Sequence, residues 1–315
     1  EKAINPAYYW TKSAQIIPEH IFSSLFGWEL GIQISQFIKL SIIAISSFLI
    51  FYTTRKNLLI ALTFVTFIIL NGTILTMLGN TYVTATALTT LILVYSILTI
   101  FVETFHSRDG RHFFSIICLS GVLASSVFIY PLLTINIAII LVTYFFWLII
   151  SQGATLRYCI KLFSIFSLTS AATFSLNIFI TRLVFPNRDW LETVIFYTKN
   201  LNASDYSNDR KYSILFGDFS LLVIGIGIVI SLYIITHKQS FAHNTVCVAI
   251  SQISLFLFTL FQVQFFDSAA FEASFISAFF WIPSLLVTCL YFVEVFPDLS
   301  LTQSKSFLYF SLILA

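Results

Sequence analysis

From Ile34 onward the chain alternates long apolar runs with short polar breaks. The runs are 34–54, 58–78, 82–102, 113–130, 132–150, 162–185, 220–236, 245–266 and 274–296, with 306–315 a truncated last one. Crossing a hydrocarbon core takes roughly 20 apolar residues in a helix. Lipid offers no partner to free backbone amides, so a spanning segment must be a helix or part of a closed barrel. Runs of this length, without two-residue alternation, predict helices rather than barrel strands. The expected fold class is all-α: a polytopic helical membrane protein with about ten spans. Its expected parts are a first extracytoplasmic stretch (1–33), helices over 34–185, a large extracytoplasmic loop (186–219) and helices over 220–315. A chain that opens on Glu1 and stops inside an apolar run reads as a window on a longer protein.

The two polar stretches carry their own periodicity. Pro18 suits a first helical position, and Gly27 marks a helix end. Between them Ile21, Phe22, Leu25 and Phe26 share one face, with Glu19, His20, Ser23 and Ser24 on the other. This predicts a helix lying in the headgroup plane, with Trp10 and Trp28 as interfacial anchors. In the second stretch, Asp189 and Glu192 resemble a capping box ahead of a stripe of Trp190, Leu191, Val194 and Ile195. A second interfacial helix is expected over 190–200, then a polar loop over 202–211.

Composition changes the picture little, and charge placement changes it more. Hydrophobic residues make up 58% of the chain and charged residues 10%, against about 25% charged in soluble domains. Arg55, Lys56, Arg108, Arg111, Arg157, Lys161, Lys238 and Lys305 fall on one set of connections. The short links at 79–81, Pro131 and 267–273 hold no Lys or Arg. That asymmetry places the basic set inside and both long stretches outside. The four cysteines, Cys118, Cys159, Cys247 and Cys289, show no paired spacing, which supports neither a disulfide framework nor a zinc site.

The segment Asn5-Pro6-Ala7-Tyr8-Tyr9-Trp10, followed by Phe26-Gly27-Trp28-Glu29-Leu30, resembles the first periplasmic loop of membrane glycosyltransferases of the GT-C fold. The look-alike family holds protein O-mannosyltransferases and lipid A aminoarabinose transferases, which use polyprenyl-phosphate sugars. The tight outer hairpins after 78 and 130, and the long outer loop near 186–219, are similar to that family's order. The resemblance implies that span 34–54 is the second helix and that the essential acidic residue lies upstream of Glu1. The chain departs from the family at Ala7, where a second Pro is usual, and at Asn5, where His or a basic residue is usual.

Transfer from a lipid-phosphate sugar needs a carboxylate to deprotonate the acceptor hydroxyl. It also needs cations where charge develops on the departing phosphate. The expected substrate-binding residues are Tyr8 and Tyr9, lining the sugar, with Lys12, Arg182 and Arg188 on the phosphate side. Lys39, six residues into its span, is a further cation at headgroup depth, and Glu19 with His20 a possible proton-handling pair. No Gly-rich phosphate loop or HExxH motif is present, so the reading calls for no metal and no cofactor beyond the lipid-linked donor. Nucleic acid has no place in it. The expected function is a glycosyltransferase of the bacterial inner membrane acting on an extracytoplasmic lipid, glycan or protein. The competing expectation is a non-enzymatic transporter or flippase of envelope lipids. Ionisable residues are missing from the middle of the spans, where proton- or ion-coupled transporters place them.

Overall fold

The computed structural model describes residues 13–71, 74–75, 78, 83–129, 131–184, 220–265 and 273–295. The expectations placed on Tyr8 to Lys12, on 186–219 and on 306–315 lie outside them. Among the described residues the chain forms ten α-helices and no strand. They are α1 (Ser13–Phe26), α2 (Trp28–Arg55), α3 (Leu58–Ile69), α4 (Val83–Glu103), α5 (Gly110–Ser126), α6 (Pro131–Gln152), α7 (Leu156–Val184), α8 (Ser220–Thr236), α9 (His243–Phe265) and α10 (Ala273–Val295). Each apolar run from 34–54 to 274–296 meets one of α2 to α10.

Among the described residues four helices are long and apolar enough to cross a membrane: Trp28–Arg55, Ala85–Glu103, Leu133–Gln152 and Leu156–Val184. Leu58–Ile69, Leu222–Thr236, His243–Phe258 and Trp281–Val295 are apolar but shorter. At 1.5 Å per residue the 28 residues of α2 run about 42 Å, longer than a hydrocarbon core. α3 stops at Ile69, short of the run that ends at 78.

α4 is the hub, packing against α2, α5, α6, α9 and α10. Leu88, Leu91, Tyr95, Leu98 and Phe101 on it are fully enclosed. Polar residues join the helices at their interfaces. The Gln252 amide donates to Ser284 Oγ at 2.6 Å and accepts from Ser231. Tyr95 Oη meets Ser251 Oγ at 3.1 Å, and Asn177 donates to Ser125 Oγ at 3.1 Å. Small hydroxyl residues such as Ser46, Ser120, Ser231 and Ser284 are buried, while Phe37, Ile45, Phe146, Phe163 and Leu168 point outward. Water penalises that distribution and hydrocarbon favours it. The surface is that of a membrane protein.

Charged residues gather at one end of the bundle. Arg55 at the end of α2 donates to the carbonyls of Val293 and Glu294 at the end of α10. The Glu294 carboxylate caps the start of α9, accepting from Ala242 N at 2.9 Å and from the Thr245 hydroxyl. Lys56 pairs with Glu103 at the end of α4, and Gln152 at the end of α6 meets His243 Nε2 at 2.9 Å. α2, α4, α6 and α10 therefore end where α9 begins. α5 and α7 also begin there, joined by His112 and Tyr158. Asn57 and Asp109 supply the N-caps of α3 and α5 at the same end, satisfying amides that each helix start leaves unpaired.

Candidate functional site: the Glu19–Lys39 cleft

The opposite end of the bundle is built by α1. Gly27, at φ +84°, takes a conformation that costs a side chain dearly. It ends α1 and lets the chain fold back along α2. The two helices touch backbone to backbone at Gly31, where an added Cβ would sit 2.6 Å from Ser23 Cα. The start of α1 is tied to two other helices. Ala14 N donates to Phe128 O at 3.2 Å, and Ser13 Oγ shares a 2.9 Å hydrogen bond with Thr181 Oγ1, 168 residues away.

Pro18, expected at the first helical position, stands inside α1, whose described part already runs from Ser13. The expected polarity of its faces also changes. Glu19 and Phe22 turn into the protein, while Ile21, Leu25 and Phe26 are exposed along with Trp28. An interfacial helix can present its apolar side to lipid and its polar side to the protein.

Three helix faces enclose a cleft of about 210 Å³. α1 gives Pro18, Glu19 and Phe22, α2 gives Ser35, Ile38, Lys39 and Ile42, and α4 gives Thr86, Thr89, Thr90 and Leu93. Each set follows the three- and four-residue spacing of one helix face. Lys39 Nζ lies 2.7 Å from Glu19 Oε1, with the two side chains 13% and 24% exposed. Placing a cation against an apolar wall is costly unless a counter-charge meets it, and Glu19 provides one. Thr89 and Thr90 spend their hydroxyl protons on the carbonyls of Ala85 and Thr86. The Thr86 hydroxyl is buried without a hydrogen-bond partner among the described residues. The cleft thus offers one cation, one carboxylate and one unsatisfied hydroxyl within otherwise apolar walls. Such a space suits a molecule with a polar head and an apolar tail.

Of the residues expected to bind substrate, Tyr8, Tyr9, Lys12 and Arg188 lie outside the described residues. Arg182 stands exposed in the last turn of α7, next to the Thr181 that holds Ser13. It makes no ion pair among the described residues. Lys39, noted in the sequence for its depth, is in the cleft, whereas His20 points outward. In the sequence, Glu19 falls on the polar face of the expected interfacial helix, beside His20. Its pairing with Lys39, twenty residues on, carries no local signal, although the glycine turn between them folds one helix onto the next. Ser35 and the α4 threonines gave no such signal, because only packing brings α4 to this place. Among the described residues no group of His, Cys, Asp and Glu could hold a metal ion. The chain matches no family model, no curated protein and no solved structure.

Proposed function

We propose that this chain is part of an integral-membrane glycosyltransferase that moves a sugar from a polyprenyl-phosphate carrier to an extracytoplasmic acceptor. The single observation that carries the reading is the Glu19–Lys39 pair, set in an apolar cleft at the end of the bundle remote from the basic residues. The Asn5–Trp10 segment and the order of outer loops support it from the sequence. In this reading about ten helices cross the membrane, the charged end faces the cytoplasm and the cleft opens outside.

The chemistry assigns roles to this chain's own groups. The acceptor oxygen attacks the anomeric carbon, the bond from that carbon to the phosphate oxygen breaks, and polyprenyl phosphate leaves with the electron pair. Lys39 stabilises the negative charge gathering on the phosphate. Glu19 is a positioning residue that holds the ammonium at the cleft, and Thr86 has a free hydroxyl to offer the headgroup. The polyprenyl tail stays in hydrocarbon beside the exposed faces of α1 and α2. The acceptor's proton passes to a carboxylate base of the kind the family resemblance implies.

Transfer of radiolabelled sugar from polyprenyl-phosphate mannose and polyprenyl-phosphate glucose, measured in membranes containing the protein, tests the roles. Removing one preorganised donor to developing charge costs about 10²- to 10³-fold in rate. Lys39→Gln is expected to lose that much, and Glu19→Gln a smaller part of it. The exchanged pair Glu19→Lys with Lys39→Glu should restore expression and thermal stability without restoring transfer. Full activity in the exchanged pair would show that the residues only join two helices.

A further inference from the structure

We infer that the charged end of α5 and α7 binds the headgroup of an anionic phospholipid. α7 packs on α5 and is otherwise peripheral, with little of its surface buried in the bundle. At its start, three cations converge. The Arg108 guanidinium lies 4.4 Å over the Tyr158 ring and the Lys161 ammonium 4.3 Å over the Phe113 ring. Arg157 stands one turn before Lys161 on the same helix. All three are exposed, and none meets a carboxylate among the described residues. Asp109 nearby is already engaged by Arg111 at 3.0 Å and by His112 N at 3.1 Å.

The rings that carry the cations are held in place. His112 is fully enclosed, stacks on Phe101 with centroids 4.6 Å apart, and meets the Tyr158 hydroxyl at 2.5 Å through Nε2. A cation resting on a fixed ring face has lost part of its side-chain freedom before any ligand arrives. Directly beside the cations begins an exposed apolar surface: Leu156, Ile160 and Phe163 on α7, Phe114 and Ile117 on α5. The two halves match the two halves of a phospholipid. Phosphate meets the uncompensated positive charge at the membrane boundary, and the acyl chains cover the apolar faces. A soluble anion would use the cations and leave the apolar surface bare.

Native mass spectrometry of the purified protein in neutral detergent tests the site, with phosphatidylglycerol, cardiolipin, phosphatidylcholine and inorganic phosphate as separate probes. The expected result is one retained anionic lipid, weaker retention of phosphatidylcholine and no displacement by phosphate. Each basic residue near a lipid surface contributes roughly fivefold in affinity. Arg157→Gln should lower retention by about that factor, and the Arg157→Gln, Lys161→Gln double variant by on the order of 25-fold. Arg157 is exposed and makes no hydrogen bond or ion pair among the described residues, so its loss should leave folding intact. Lys238→Gln, which removes a cation from the same end over the Trp147 ring at 5.2 Å, should change nothing. Equal retention of phosphatidylcholine, displacement by phosphate, or an equal loss in Lys238→Gln would overturn the assignment.

Discussion

Single residues at the ends of the helices decide where this fold turns. Asp109 is the clearest case: it caps α5 by accepting from His112 N and pairs with Arg111. Those contacts favour its charged form, the amide hydrogen bond most of all, and hold its carboxyl below the usual carboxylate range. A lowered folded-state value stabilises above the unfolded value and is lost as pH falls through the folded one. Asp109→Asn keeps a capping oxygen and removes the charge. The wild-type protein should therefore melt higher than Asp109→Asn at pH 7, with the gap closing below about pH 4. A gap in thermal melts in detergent that does not shrink as pH falls below about 4 would contradict this. The capping pattern expected from the sequence falls at Asp189 and Glu192, and the Asp109 cap is not among the expectations. Nor is the Glu19–Lys39 pair, because neither residue's local pattern says which way its helix face turns.

At the scale of helices, the apolar runs foretold α2 to α10 closely, since lipid demands an unbroken hydrogen-bonded helix wherever the side chains are apolar. The misses have tertiary causes. α1 runs through Pro18, and Ser13 and Ala14 ahead of it are held by Thr181 and Phe128. Its inward face carries Glu19, because α2 offers Lys39 and the apolar residues face outward. The close approach at Gly31 sets the spacing of α1 on α2. Gly31→Ala would press a methyl group against backbone atoms of Ser23 that cannot move aside alone. Forcing an extra methyl into such a contact costs about 1–3 kcal/mol. The variant should melt lower and lose transfer out of proportion to that loss, because the cleft walls separate. Unchanged transfer in Gly31→Ala would mean that the spacing of α1 and α2 does not matter to activity.

Among the described residues, one end of the molecule is rich in paired charges and the other holds a single enclosed ion pair in an apolar cleft. The sequence anticipated this polarity through its basic links, but the depth of the cleft depends on contacts between distant segments. The proposed membrane sidedness rests on this polarity. A cysteine placed at Lys238 should react with an impermeant maleimide only from the cytoplasmic face, and one at Trp28 only from outside. Reaction of both from one face would break the topology. The central claim is that the cleft serves transfer of a sugar and not passage of its carrier. The measurement that tests it most directly follows radiolabelled polyprenyl-phosphate sugar presented to proteoliposomes of the protein with an acceptor extract. The account predicts that label leaves the polyprenyl phosphate for the acceptor and that Lys39→Gln abolishes this. Label that reaches the opposite leaflet still attached to polyprenyl phosphate, with none on the acceptor, would contradict it.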